Sequence, residues 1–339
     1  MQTTLLNTVS LSELTDLIRK EFVETQQVVK PAAYQLFIKD VIPNGNGNTR
    51  RYDEIDTQTF ARTKKQGEAV KKASVGVGYN VTMTKKRIGL EIDITQEMRD
   101  ENRFAEVGAL ITNLTWFCPQ RIELDMTHRI TFATSTSYTD MDGESIDLTV
   151  GDGLALASTA HLLKYSSSTY SNRVSGDPQF SRGALEAAEQ LTVSNILSNF
   201  GERRIMSFNT IVSSDDPNTC NTIRQFIESS SDVDQNNPSV INVYKGKYRH
   251  LELPYLATTA VQGFDSTKVR WWALASLGNG PMGWQAYFGE WEAPHLQTPD
   301  GEQSNLVDAH RDIWTYGTRA GYGLTAVSGR GIIFSCPVS

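Results

Sequence analysis

Between residues 95 and 134 the apolar side chains recur at steps of three or four. Phe104, Val107, Leu110, Ile111, Leu114 and Cys118 form the first stripe, and Ile122, Met126, Ile130 and Ala133 continue it beyond Pro119. Thr95 offers an N-terminal capping oxygen, although Met98 stands where a full capping box would need Glu or Gln. Glu97, Asp100 and Glu101 place acid in the opening turns, against the positive end of the helix dipole. At ~1.5 Å per residue such a helix spans roughly 60 Å, more than a compact domain measures, so the segment predicts a strut crossing the molecule. Pro119 lacks a backbone donor and collides with the carbonyl of Thr115, a cost of ~3 kcal/mol that predicts a kink or short break.

Around this strut the chain reads as strand-rich. With 339 residues, 39% hydrophobic and 21% charged, it has the composition of folded protein and enough length for two domains. No apolar run approaches the ~18 residues of a membrane span, and the opening Met-Gln-Thr-Thr-Leu-Leu lacks the pattern of a secretion signal. Cys118, Cys220 and Cys336 are odd in number and far apart, which predicts three unpaired thiols in a reducing compartment.

Residues 9–24 (Val9, Leu14, Leu17, Ile18, Phe22) predict an amphipathic helix whose apolar face has no evident local partner. Tyr34 to Ile42 reads as extended, and the Pro43 to Asn48 cluster as a turn. Ser74–Thr84 alternates at period two, and Arg87–Ile94 follows as a second strand. Ser181 and the pair Asp216-Pro217 each mark a helix start. Further strands are expected at 208–212, 240–244, 248–253, 269–277, 284–288, 313–316, 322–326 and 331–335.

Charge is unevenly placed. Residues 50–87 hold ten Lys or Arg against four Asp or Glu, a net of +6; the whole chain carries -7, so the remainder carries -13. That asymmetry suits head-to-tail contact between copies, a basic arm of one lying on an acidic surface of the next; the alternative is a basic loop that stays solvated. A hairpin with so few apolar residues would not be stable alone, so it either lies against a neighbour or is mobile.

Motifs for chemistry are sparse. Gly278 to Gly283 matches Gly-x-Gly-x-x-Gly, but a strand rather than a helix follows, and a hairpin turn fits better than a phosphate cradle. His128, His161, His250, His295 and His310 lack paired metal spacing. Asp140, Asp142, Glu144 and Asp147 make one calcium-like cluster, yet Ser145 and Gly151 stand where an EF-hand needs Gly and Glu. Trp271, Trp272, Trp284, Trp291 and Trp314 could form a sugar platform, but packing is the commoner use. We therefore expect no enzyme activity, cofactor or metal.

The order of parts nevertheless resembles a known family. A helical arm precedes a long basic hairpin that leads into a long helix. Gly-Leu-Ala-Leu-Ala-Ser-Thr-Ala-His (153–161) follows, then Phe180-Ser181 with Leu185-Glu186-Ala187-Ala188, and Phe208-Asn209-Thr210-Ile211-Val212. Lys245-Gly246-Lys247, Leu253-Pro254-Tyr255-Leu256 and Tyr316-Gly317 complete the series. This resembles the major capsid proteins of tailed phages with the Hong Kong 97-type fold, especially the Mu-type head subunits. The resemblance implies an α+β fold with an N-terminal arm (1–44), an extended loop (45–93) reaching over a neighbour, and a spine helix (95–134). It implies a peripheral domain of 94–169 and 283–325 and an axial domain of 170–282 and 326–339.

By the same resemblance the chain assembles into pentamers and hexamers of an icosahedral or prolate shell around double-stranded DNA. Its location would be the virion capsid, assembled in the bacterial host cytoplasm. A portal and decoration proteins are implied partners; no charged helical segment resembling a fused scaffold precedes the arm, so either a separate scaffolding protein exists or this is a processed or scaffold-free form. DNA would be enclosed without sequence-specific binding, an acidic interior avoiding a grip on it. Lys64, Lys65, Lys71 and Lys72 do not match the crosslinking lysine of some relatives. Expected inter-subunit contacts are Arg50, Arg51, Arg62, Lys64, Lys65, Lys71, Lys72, Lys85, Lys86 and Arg87; expected hinges are Gly45, Gly47, Gly76, Gly78 and Pro119. The competitors are an encapsulin-like compartment shell and, from another class, a carbohydrate-binding or carbohydrate-active protein.

Overall fold

The computed structural model describes residues 15–16, 18–20, 22–24, 31–43, 45–57, 60–72, 75–95, 97–98, 104–231, 241–278, 283–299, 307–308 and 313–338. The fold is mixed α+β. In chain order it runs through β1 (Ile38–Val41), β2 (Thr49–Thr57), β3 (Val75–Thr84), β4 (Lys86–Thr95), helix α1 (Phe104–Thr131), and the short hairpins β5 (Ser137–Thr139) with β6 (Ser145–Asp147) and β7 (His161–Leu163) with β8 (Ser166–Tyr170). Helix α2 (Arg182–Ser194), β9 (Thr210–Ser214), helix α3 (Pro217–Glu228), β10 (Arg249–Leu253) and β11 (Trp272–Ala275) follow. The chain closes through β12 (Ala286–Gln297), β13 (Val307–Asp308), β14 (Ile313–Ala326) and β15 (Ile332–Ser335).

Helix α1 is continuous through Pro119, so the expected break does not form. The apolar stripe holds it: Val107, Ile111 and Leu114 are buried in one core with Ile94 and Tyr316, while Cys118, Ile122, Met126 and Ile130 are buried in a second, larger core. Proline removes one hydrogen bond, but anchorage on both sides keeps the helical path. The described helix is about 42 Å long at 1.5 Å per residue, and one element serves two cores.

The first core supplies a distant partner for the N-terminal helical residues. Ile18 and Phe22 are buried, Ile18 against α1 and β14, and Thr15 Oγ1 lies 3.2 Å from the Tyr316 hydroxyl. The apolar face of the N-terminal helical residues therefore has a partner within the chain. Val9, Leu14 and Leu17 lie outside the described residues.

Two sheets carry the body. In the first, the order is β1-β12-β14-β13 and β4 also pairs with β14, antiparallel from Lys86 to Thr95. The strand at 87–94 thus belongs to the body sheet, and the projecting hairpin is β2–β3 alone, joined by nine-residue and ten-residue strands. In the second sheet the order is β10-β9-β11-β15, and β9, α3 and β10 form a crossover whose strands are parallel neighbours. Ser181 caps α2 by accepting from the Ala184 amide, and Asp216 caps α3 ahead of Pro217, both as the sequence predicts.

Other expectations shift. Residues 32–36 form a 3-10 turn before β1, and Asn242–Lys247 is turn rather than strand because Asn242 bonds the end of α3. The segments 313–316 and 322–326 are one strand, its middle turned inward by Thr318 and Ala320. Gly278 to Gly283 is described only at its ends.

Candidate assembly surface

Strand β2 carries Glu54 and Asp56 two residues apart, so they share a face, and that face turns inward. Glu54 is 2% exposed and pairs with the buried Arg330 guanidinium. Asn199 ties the two together: its Nδ2 donates to Glu54 Oε2 at 2.8 Å and its Oδ1 accepts from Arg330 at 2.9 Å. Its backbone amide donates to Asp56 Oδ2 at 2.7 Å. A register shift between Asp53 and Ile55 accompanies this inward turn.

The second strand of the hairpin is clamped as well. Lys164 Nζ donates to the Gly78 carbonyl at 2.7 Å and the Tyr165 hydroxyl to the Val77 carbonyl at 2.8 Å. A β-carbon at Gly76 would stand 2.4 Å from the Tyr165 ring, and one at Gly78 2.6 Å from Glu54 and 2.7 Å from Asn199. Both glycines permit close approach here, rather than a left-handed turn. Gly45 and Gly47, by contrast, have φ of 103° and 79° in the turn before β2, with open space around them.

Beyond this locked root the described residues of the hairpin face solvent. Every residue from 60 to 72 is exposed, including Phe60 and Val70. No described acidic side chain lies within ion-pairing distance of Lys64, Lys65, Lys71 or Lys72, whereas Arg62 reaches Glu202 at 3.7 Å. Arg50 and Arg51 sit on the strand flank beside Asp40 and Asp53. Lys85 and Lys86 do not belong to the free set. Lys85 is close to Glu292, and Lys86 Nζ lies 2.7 Å from Asp140 and 3.3 Å from Asp125. Within this chain Lys85 therefore has one carboxylate neighbour and Lys86 two. Arg87 is exposed.

The Asp140 contacts also remove the calcium reading's main ligand. One carboxylate oxygen takes Lys86 and Arg121, and the other accepts the amides of Asp142 and Glu144. Burial alone would raise this carboxyl's pKa, but the Lys86 hydrogen bond and the backbone amides outweigh it and hold the group below the usual range. His161 is likewise structural, Nδ1 lying 2.8 Å from Asp152. Trp271, Trp272, Trp284 and Trp291 are buried in the cores, so they offer no sugar platform.

A groove of about 930 Å³ runs between α1, β4 and the 254–264 segment. Leu90, Met141 and Phe264 line it and are 51%, 48% and 76% exposed. Exposed apolar side chains converging on one hollow are a feature of contact surfaces. Sequence reasoning found the basic tip but missed the clamp. The available signal was the pair Glu54 and Asp56, two acids at period two inside a basic segment.

No protein-family model matches the chain, and no curated protein matches it. Among solved structures it is similar to the capsid of the cyanophage P-SCSP1u, with a TM-score of 0.49 and 9% identity over 89% of this chain and 86% of that one. It is similar to a structure from Mycobacterium phage Adephagia (TM-score 0.48, 11% identity, 98% and 99% covered). It is also similar to the virus-like particle from Pyrococcus furiosus (TM-score 0.47, 10% identity, 94% and 97% covered).

Proposed function

We propose that this chain is the major head subunit of a tailed double-stranded-DNA phage, with the Hong Kong 97-type fold, and that copies of it close into a shell of pentamers and hexamers. The observation that carries this is the basic tip: residues 60–72 are held out on a root locked by Glu54, Arg330 and Asn199. A lone copy leaves four lysines, Phe60 and Val70 in water, and the rest of the chain carries the opposite charge. A contact whose two sides differ repeats head to tail and closes into a ring when the rotation fits. Arg50, Arg51, Arg62, Lys64, Lys65, Lys71, Lys72 and Arg87 are the proposed contact residues, and the turn at Gly45 and Gly47 the proposed bend between ring types. The domain division of the resemblance, the virion location, and a scaffold, portal and enclosed DNA belong to the same proposal.

Electron microscopy of the purified chain at rising concentration tests it. Closed shells or rings are expected; a monodisperse monomer at high concentration would overturn the proposal. Reversing Lys64, Lys65, Lys71 and Lys72 to Glu should abolish assembly while circular dichroism stays unchanged. Copurified DNA and tail proteins separate the phage head from a compartment shell, which would hold an enzyme cargo.

A further inference from the structure

Away from the tip, at the rim where edge strand β10 meets α3, three side chains of different chemistry converge. The Cys220 sulfur, a ring nitrogen of His250 and a carboxylate oxygen of Glu252 all lie within 4.8 Å of one another. Cys220 comes from the first turn of α3, and His250 and Glu252 share a face of β10 at period two. Ser213 Oγ lies 2.8 Å from the Ser214 carbonyl and 2.9 Å from His250 Nε2, and Nδ1 is the ring nitrogen turned toward Glu252. His250 Nδ1 lies 3.5 Å from Glu252 Oε1, the oxygen that also accepts from Arg224, so sulfur, imidazole and carboxylate face one small space from two elements.

We infer that Cys220 Sγ, His250 Nδ1 and the Glu252 carboxylate hold a divalent zinc-class ion, with a fourth position open to water. Sulfur, imidazole and carboxylate together suit a borderline-soft ion with tetrahedral preference, and Ser213 is the outer partner that fixes the histidine tautomer. Cys220 binds as thiolate, losing to solvent the proton its thiol now shares with the Ser214 carbonyl 3.1 Å away. Arg224 occupies one side of the Glu252 carboxylate, which leaves Oε2 for the ion, and the partial exposure of Glu252 provides the path of entry. Such an ion would tie α3 to β10 across the crossover. The inference does not depend on shell assembly.

The test is metal binding to the full chain, stripped with a chelator and titrated with Co²⁺ and then Zn²⁺. We expect about one cobalt per chain with a thiolate-to-cobalt absorption band, displaced by zinc. Cys220→Ser should abolish the band while Cys118→Ser and Cys336→Ser retain it. Glu252→Gln, at a half-exposed position that leaves folding intact, should weaken binding at least about tenfold. A folded wild-type chain with no band, a band that survives Cys220→Ser, or unchanged affinity in Glu252→Gln would each overturn the site.

Discussion

His128 is 1% exposed and lies edge-on to the stacked rings of Phe132 and Tyr138. Neither of its ring nitrogens has a hydrogen-bond partner among the described residues. Burial lowers its pKa from 6.5 to about 4, with the nearby cations Arg121, Lys268 and Lys86 acting the same way and Asp125 opposing. Between those pH values the unfolded chain binds a proton at this ring and the folded chain does not. Stability should therefore fall by about 3 kcal/mol as pH drops through that window. Urea unfolding across it should show a shallower pH slope for His128→Phe than for the wild type; equal slopes would mean the buried ring is not the source. Glu54 tests the opposite situation, a buried charge that does have its partner. Glu54→Gln leaves the Arg330 guanidinium enclosed and poorly matched, and should cost about 3–5 kcal/mol. Faster proteolysis of the exposed 60–72 segment should accompany that loss, because the same carboxylate anchors β2.

At the scale of elements, the decisive feature is one helix serving two cores. Pro119 lies where the stripe passes from the core of Val107, Ile111 and Leu114 to that of Cys118, Ile122 and Met126. Pro119→Ala restores the donor to the Thr115 carbonyl and should stabilise the subunit by about 1 kcal/mol or more, read by thermal unfolding. Destabilisation instead would show that both cores depend on the path proline imposes. The β2–β3 hairpin shows a comparable division of labour. Its root is fixed by buried polar contacts, while among the described residues of its exposed tip Arg62 forms an ion pair with Glu202.

For the whole molecule the balance is electrostatic. The tip exposes four lysines on a chain of net charge -7, and the proposed attraction between copies rests on that asymmetry. If that attraction drives assembly, the concentration needed to form shells should rise as ionic strength passes from 0.05 to 0.5 M, since exposed charges are screened over about 10 Å at 0.1 M. Light scattering across that range checks it. A salt-independent threshold would assign assembly to apolar contacts such as those around Leu90, Met141 and Phe264.

Local signals were enough for much of this protein. The steps of three and four wrote α1, the caps at Ser181 and Asp216 wrote the starts of α2 and α3, and alternation wrote β3 and β4. Each is a property of neighbouring residues and backbone geometry. Which strand β4 pairs with, where Ile18 is buried, and which lysines remain free depended on residues distant in the chain, β14 for β4, α1 and Tyr316 for Ile18, Glu292 for Lys85 and Asp125 and Asp140 for Lys86. Lys85 and Lys64 look alike in a basic run, yet one faces Glu292 and the other faces water. Pairing partners and charge neighbours are set by packing across the whole chain, and no short window of sequence contains that information.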